Sequence, residues 1–296
     1  MIISASRRTD IPAYYSEWLV NRLKAGFCYT RNPRNPRQVS KINISPQEIY
    51  GFVFWTKNPA NMMKYLPVFS DYMYYFQFTL TPYGKDIEPN LPSKPDELVQ
   101  TFKQLSSMIG AKRVIWRYDP ILMNEKYTTL YHLHAFEKIA EALQHATKKV
   151  IISFISTHYR NVKRNTGALK LKGFEDEQKV DLARKLAEIA ARYNLVIQSC
   201  SQKLDLQPFG ISPSRCIDDK LFEELLGFQI KGGKDKNQRP ECGCMKSVDL
   251  GVYNTCLHGC MYCYANYNQK LVARNCQQHD ELSPLLIGSL TNELWF

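Results

Sequence analysis

The sequence predicts an α/β protein built as a partial parallel barrel of the (βα)6 type. Three observations predict it. Short runs rich in β-branched and aromatic residues alternate with longer segments of helical periodicity. The runs are apolar almost throughout, as strands buried on both faces are. Polar boxes stand where the runs end, which is where a βα barrel collects its functional groups. A flat, doubly wound sheet is the alternative, because strand order is not written in a sequence.

The predicted strands span 1–6, 51–56, 73–81, 113–118, 149–155 and 195–199. Between them lie predicted helices. One at 14–25 follows Pro12, a short one covers 46–50, and one at 61–65 begins after Pro59. The helix at 96–109 stops at Gly110, a usual terminator. Those at 128–146 and 176–193 carry i, i+3, i+4 apolar spacing, as in Leu182, Leu186 and Ile189. Residues 1–200 thus read as six βα units. Residues 201–246 read as irregular, with a polar, glycine-bearing loop at 231–240. The stretch 247–255 reads as a last strand running into a cysteine cluster, followed by a tail to residue 296. A chain of 296 residues, 44% hydrophobic, suits one large core better than two small ones.

Nothing approaches the roughly 20 uninterrupted apolar residues of a membrane helix, and the start of the chain lacks the pattern of a signal peptide. The expectation is a cytoplasmic protein with no membrane partner. Formal net charge is +11, and positions 7–41 hold eight Lys/Arg against Asp10 and Glu17. Such a bias admits a nucleic-acid partner, because Lys and Arg neutralise phosphates whatever the base sequence; it equally suits a basic enzyme whose charge aids solubility. The aromatic residues, 12% of the chain, read as core rather than as a base-stacking platform.

Nine cysteines in a reducing compartment point to metal ligation rather than disulfides, and five of them fall between 242 and 263. Cys256-Leu-His-Gly-Cys260-Met-Tyr-Cys263 places three thiolates in one tight loop. That suits a cuboidal [4Fe–4S] cluster whose fourth iron is left open. Gly259 allows the close turn and Tyr262 shields the group from water. A structural zinc ion on the same cysteines with His258 or another cysteine is the competing reading. His258 itself reads as solvent-facing or as a donor to the cluster. Cys200, Cys216, Cys242 and Cys244 form a candidate second metal site, for zinc or an auxiliary cluster, with free thiols as the alternative. Cys28 and Cys276 read as ordinary buried or surface cysteines.

The spacing of Cys256, Cys260 and Cys263, with an aromatic before the third, resembles the cluster loop of the radical S-adenosylmethionine superfamily. Ser6–Pro12, Phe54–Pro59, Gln77–Thr81 with Ile87–Asn90, and Arg117–Ile121 look like the second to fifth strand-end motifs of its spore photoproduct lyase and DNA-repair-photolyase-like branch. In that superfamily the cysteine loop follows the first strand, so the resemblance implies a circular permutant with 247–255 beside 1–6. The whole chain also resembles the DUF1848 family of uncharacterised bacterial proteins, matched from Ser4 to Asp280.

The resemblance implies S-adenosylmethionine as cofactor, a 5′-deoxyadenosyl radical for hydrogen abstraction, and flavodoxin or ferredoxin as electron donor. It places Lys57, Asn58, Glu88 and Arg117 on the cofactor side, with Lys57 and Arg117 gripping a carboxylate or substrate anion. Arg7, Asp10 and Asp119 become catalytic candidates. A non-catalytic nucleic-acid-binding protein, stapled by zinc or an iron–sulfur cluster, is the alternative.

Overall fold

The computed structural model describes residues 1–290, so the end of the predicted tail, 291–296, lies outside the described residues. The strands are β1 (Ile2–Ala5), β2 (Phe27–Asn32), β3 (Asn35–Asn43), β4 (Gly51–Thr56), β5 (Tyr74–Thr79), β6 (Val114–Ile121), β7 (Lys149–Phe154), β8 (Val196–Ser199), β9 (Ser212–Pro213) and β10 (Ser247–Asp249). The helices are α1 (Ile11–Tyr14), α2 (Ser16–Ala25), α3 (Ala60–Met63), α4 (Val99–Ile109), α5 (Thr129–Ala142), α6 (Arg160–Leu169), α7 (Asp176–Arg192), α8 (Asp219–Leu226) and α9 (Gln269–Gln277).

Eight strands form one sheet in the order β10-β1-β4-β5-β6-β7-β8-β9, and every neighbouring pair is parallel. The fold is therefore mixed α/β around a large parallel sheet. β10 lies beside β1 in parallel, with Ile2 opposite Ser247 and Ser4 opposite Asp249. Gly51 opens β4 at φ +148°, where a Cβ would stand 2.0 Å from the Met73 carbonyl oxygen. Only glycine lets β4 and β5 approach there.

Strand side chains alternate faces, and the parity sorts chemistry from packing. Phe52, Phe54, Phe76, Phe78, Trp116, Tyr118, Val150 and Ile152 bury one face of the sheet in the main core, against helices that include α4, α5 and α7. These aromatic residues are core, while others such as Trp55, Tyr253 and Tyr264 line the cavity described below. The opposite parity begins apolar, with Ile2, Val53, Tyr75, Ile115 and Ile151 in a second cluster. Two residues further along each strand it turns polar: Ser4, Trp55, Gln77, Arg117 and Ser153. Of these, Trp55, Arg117 and Ser153 line the site described below.

Several expectations need correction. The helix at 46–50 is a turn, closed by Glu48 N–H to the Ser45 carbonyl at 3.0 Å, because Gly51 must already begin β4. The helix at 14–25 begins two residues later, at Ser16, because Tyr15 leaves helical φ/ψ and separates it from the short α1. The 201–246 segment is not wholly irregular, since α8 lies within it, capped by the Asp218 carboxylate on the Lys220 and Leu221 N–H groups. α6 and α9 had no counterpart in the sequence reading, nor did the antiparallel β2–β3 hairpin. β3 is mostly exposed and β2 is half-buried along nearly its whole length, so neither shows the apolar alternation that marks a strand with one buried face.

Candidate functional site

At the carboxyl ends of the parallel strands the polar boxes surround one cavity of about 1460 Å³. A drug-sized ligand fills a pocket of roughly 300–1,000 Å³, so this volume leaves room for two molecules. Cys256, Cys260 and Cys263 line it together with Cys200, Cys216, Cys242 and Cys244, and with Arg7, Asp10, Lys57, Arg117 and Asp119. Seven cysteines and five of the seven polar candidates therefore share one space. Asn58 and Glu88 are outside its lining; the Asn58 side chain accepts from Ala60 N–H at the start of α3.

The cysteine loop is seated by the Ile87–Asn90 box. Asn90 Nδ2 donates to the Leu257 carbonyl at 2.7 Å, and Asn90 N–H to that of His258 at 3.4 Å. The loop returns a bond of its own, from Met261 N–H to the Ile87 carbonyl at 3.0 Å. Gly259 turns the chain at φ +69°, as the close turn requires. All three thiols are pushed above the ordinary cysteine range, chiefly by burial. Lys57 pulls the other way on Cys260 and Cys263. Among the described residues, no three His, Cys, Asp or Glu side chains already stand as the ligands of a metal ion. The donor set nevertheless suits a thiophilic group: three half-buried thiols on one loop beside a half-buried cation.

Glu88 is buried beneath the loop. It accepts from Thr81 Oγ1 at 2.8 Å, Lys57 Nζ at 2.7 Å, Lys94 Nζ and the Tyr262 hydroxyl. Burial alone would raise its pKa, but Lys57 and Lys94 hold it down to about 2. Lys57 thus enters the cavity already paired, with its Nζ 5.4 Å from the centre of the Tyr262 ring. Arg117 is likewise committed. It donates to Asp119, to Gln77 Oε1 at 3.3 Å and to Cys216 Sγ at 2.9 Å, and lies 5.1 Å over the Trp55 ring. The other face of the network is Arg7, which bonds Ser247 Oγ at 3.0 Å and pairs with Asp249 at 3.8 Å.

Asp10 and His258 differ most from the sequence reading. His258 is buried rather than solvent-facing; its Nε2–H donates to Asp10 Oδ2 at 2.7 Å, and Nδ1 meets the Tyr14 hydroxyl at 2.8 Å. Asp10 also caps α1 through Ala13 N–H and accepts from Lys57 N–H at 2.7 Å. Asp249, which the sequence reading passed over, accepts from Ser4 Oγ, Ser6 Oγ and Arg7 N–H. The signal was present: an acid inside an apolar run that leads into the cysteines.

Eight Lys/Arg and three Asp line the cavity. Among the described residues no helix is long and apolar enough to cross a membrane. Fold and site together define an α/β protein with a parallel sheet whose strand ends carry a cysteine-rich, cationic cavity. The chain belongs to the family described as a domain of unknown function, DUF1848, which matches residues 2–265. Comparison with the curated proteins finds no match.

Proposed function

We propose that the protein is an iron–sulfur enzyme of the radical S-adenosylmethionine type, with Cys256, Cys260 and Cys263 holding a [4Fe–4S] cluster inside a partial (βα) barrel. The observation that carries this reading is the position of those cysteines. They open into the same cavity as the polar strand ends, instead of stapling a module of their own. The parallel pairing of β10 with β1 fits a first strand displaced to the far end of the chain. When bound and reduced, cluster and cofactor would supply a 5′-deoxyadenosyl radical for hydrogen abstraction from an unactivated carbon. Reduced flavodoxin or ferredoxin is the electron donor on this reading, and the location is cytoplasmic.

The chain's own residues do the binding and the shielding. Lys57 and Arg117 present cationic N–H donors to a carboxylate or to a substrate anion, each balanced by a neighbouring acid, Glu88 or Asp119. Asp10 acts through His258, holding the cysteine loop against the end of β1. Arg7 and Asp119 stand on the substrate side. The excess of cations around the cavity suits an anionic substrate such as a nucleotide or nucleic acid. Tyr262 and His258, the buried side chains of the loop, shield a reactive intermediate from water.

The test is anaerobic reconstitution followed by chromatography for 5′-deoxyadenosine. Wild-type protein with a reduced cluster should release it slowly even without substrate. Lys57→Ala and Arg117→Ala should each weaken cofactor binding roughly ten- to a hundredfold, the equivalent of about 1.5–3 kcal/mol for a charge-assisted contact. A fully loaded, reduced wild type that yields none would leave the cluster only a structural or electron-transfer role. Colourless protein carrying zinc on Cys256, Cys260 and Cys263 would favour the stapled nucleic-acid-binding alternative.

A further inference from the structure

Four of the cysteines meet on the cavity wall away from the cluster loop. Cys200 follows β8, Cys216 lies in the turn before α8, and Cys242 and Cys244 belong to the loop before β10. Their positions span 45 residues of sequence, so only the fold brings them together. Cys200 Sγ stands 3.5 Å from Cys216 Sγ. Cys216, Cys242 and Cys244 are buried in one cluster, with Cys200 packed against it. We propose that Cys200, Cys216, Cys242 and Cys244 are the ligands of a second metal site, a tetrathiolate that takes a zinc ion. This inference is independent of the radical reading.

The spacing favours a single tetrahedral ion over a cuboidal cluster, and an all-thiolate set that needs no redox change suits zinc. Zinc bonds thiolate at about 2.3 Å in a tetrahedron, which puts neighbouring sulfurs about 3.8 Å apart. The 3.5 Å between Cys200 and Cys216 is close to that edge. A cuboidal cluster would place each sulfur on a different iron and hold them much farther apart. The four thiols do not stand as a closed tetrahedron, and among the described residues no ready-made metal group exists. The backbone at two of the four cysteines is held in place by hydrogen bonds. The Cys216 carbonyl accepts from Tyr75 Oη at 2.8 Å and Gln77 Nε2 at 2.9 Å, and Cys244 O accepts from Asp235 N–H at 2.9 Å.

The surroundings supply what bound thiolates need. Arg117 Nη1 donates to Cys216 Sγ at 2.9 Å, and Ile217 N–H donates to Cys244 Sγ at 3.4 Å. Such outer donors orient ligands and offset the negative charge of a four-thiolate zinc site. All four cysteines open to the cavity, which gives the ion its route in. Each thiol that becomes a ligand releases its proton to solvent, and no oxidation occurs. The ion would tie the 242–244 loop to the end of β8 and so fix one wall of the cavity.

The experiment uses the full chain with Cys256, Cys260 and Cys263 all changed to alanine, so that failure of the cluster reading cannot be confused with failure of this one. Purified from zinc-supplemented cells and dialysed against metal-free buffer, that variant should hold one zinc per chain by elemental analysis. Adding Cys216→Ser and Cys244→Ser should remove it. Should the substituted chains fold poorly, alkylation of zinc-loaded, unsubstituted protein followed by peptide mass mapping gives the second readout, with Cys200, Cys216, Cys242 and Cys244 expected to be protected until a chelator removes the ion. Absence of zinc with all four thiols open to alkylation would overturn the proposal. So would a Cys200–Cys216 disulfide, or iron and sulfide in place of zinc.

Discussion

His258 donates to Asp10 across 248 positions of sequence, at 2.7 Å, with both side chains buried at the cavity wall. That one bond joins the cysteine loop to the segment after β1. The same carboxylate caps α1 and accepts from the Lys57 backbone at the end of β4. Three pieces of the rim therefore converge on Asp10, whose oxygens are occupied by structure before any substrate arrives.

Asp10→Ala should accordingly cost about 1.5–3 kcal/mol, the usual loss when a buried, charge-assisted hydrogen bond is removed. Combined with His258→Ala, it should cost less than the sum of the two separate losses, because the two residues share one bond. Urea unfolding of the metal-free proteins measures both, with Glu125→Ala on the exposed surface as the control. If Asp10→Ala costs no more than the control, the clamp contributes nothing and Asp10 returns to the substrate side.

A second prediction concerns acid. His132 is buried, with Nε2–H donating to the Leu122 carbonyl at 2.8 Å and Nδ1 accepting from the Tyr118 hydroxyl at 2.8 Å. Both ring nitrogens are used by the neutral form, and burial lowers the pKa from 6.5 to about 4. The unfolded chain therefore takes up this proton at a higher pH than the folded one. The stability held by neutral His132 is complete above the unfolded value and is lost as pH falls from 6.5 toward 4. At about 1.4 kcal/mol per pKa unit, the loss approaches about 3 kcal/mol. His132→Gln should be less stable at pH 7.5 and should flatten that part of the profile. An unchanged slope between wild type and variant would refute the assignment.

Much of this was legible in residue order. The apolar runs at 51–56 and 149–155 became β4 and β7 within a residue, because strands buried on both faces show themselves by composition alone. The same runs carried a second message in their parity: Arg117 sits one position from Trp116 and therefore on the opposite face, with Ile115 and Ser153. The four distant cysteines could be grouped by residue type but not by distance, since their meeting depends on how the 201–246 segment folds back over β8. His258 was misplaced for a related reason. A loop histidine reads as exposed until a carboxylate from the other end of the chain is known to lie beside it. The β2–β3 hairpin, carrying Arg31 at the cavity, left no periodic signal to read.

The last prediction separates the turn of the cysteine loop from its seat. Gly259 has φ +69°, and a Cβ there would stand 3.1 Å from Asn90 Nδ2 and 3.2 Å from Pro89 Cγ. Gly26 has φ +76°, and a Cβ there would meet nothing within 4 Å. Alanine at either position carries the left-handed backbone cost, about 1–2 kcal/mol. Only at Gly259 must the chain also move away from the Pro89–Asn90 shelf, whose bonds to Leu257 and His258 hold the loop in place. Gly259→Ala should therefore destabilise more than Gly26→Ala, and it alone should lower the iron retained after anaerobic reconstitution. Denaturation midpoints and iron per chain are read on both proteins. Equal losses of stability with equal iron would mean that the shelf does not position the cysteines, and that the loop finds its shape from its own sequence.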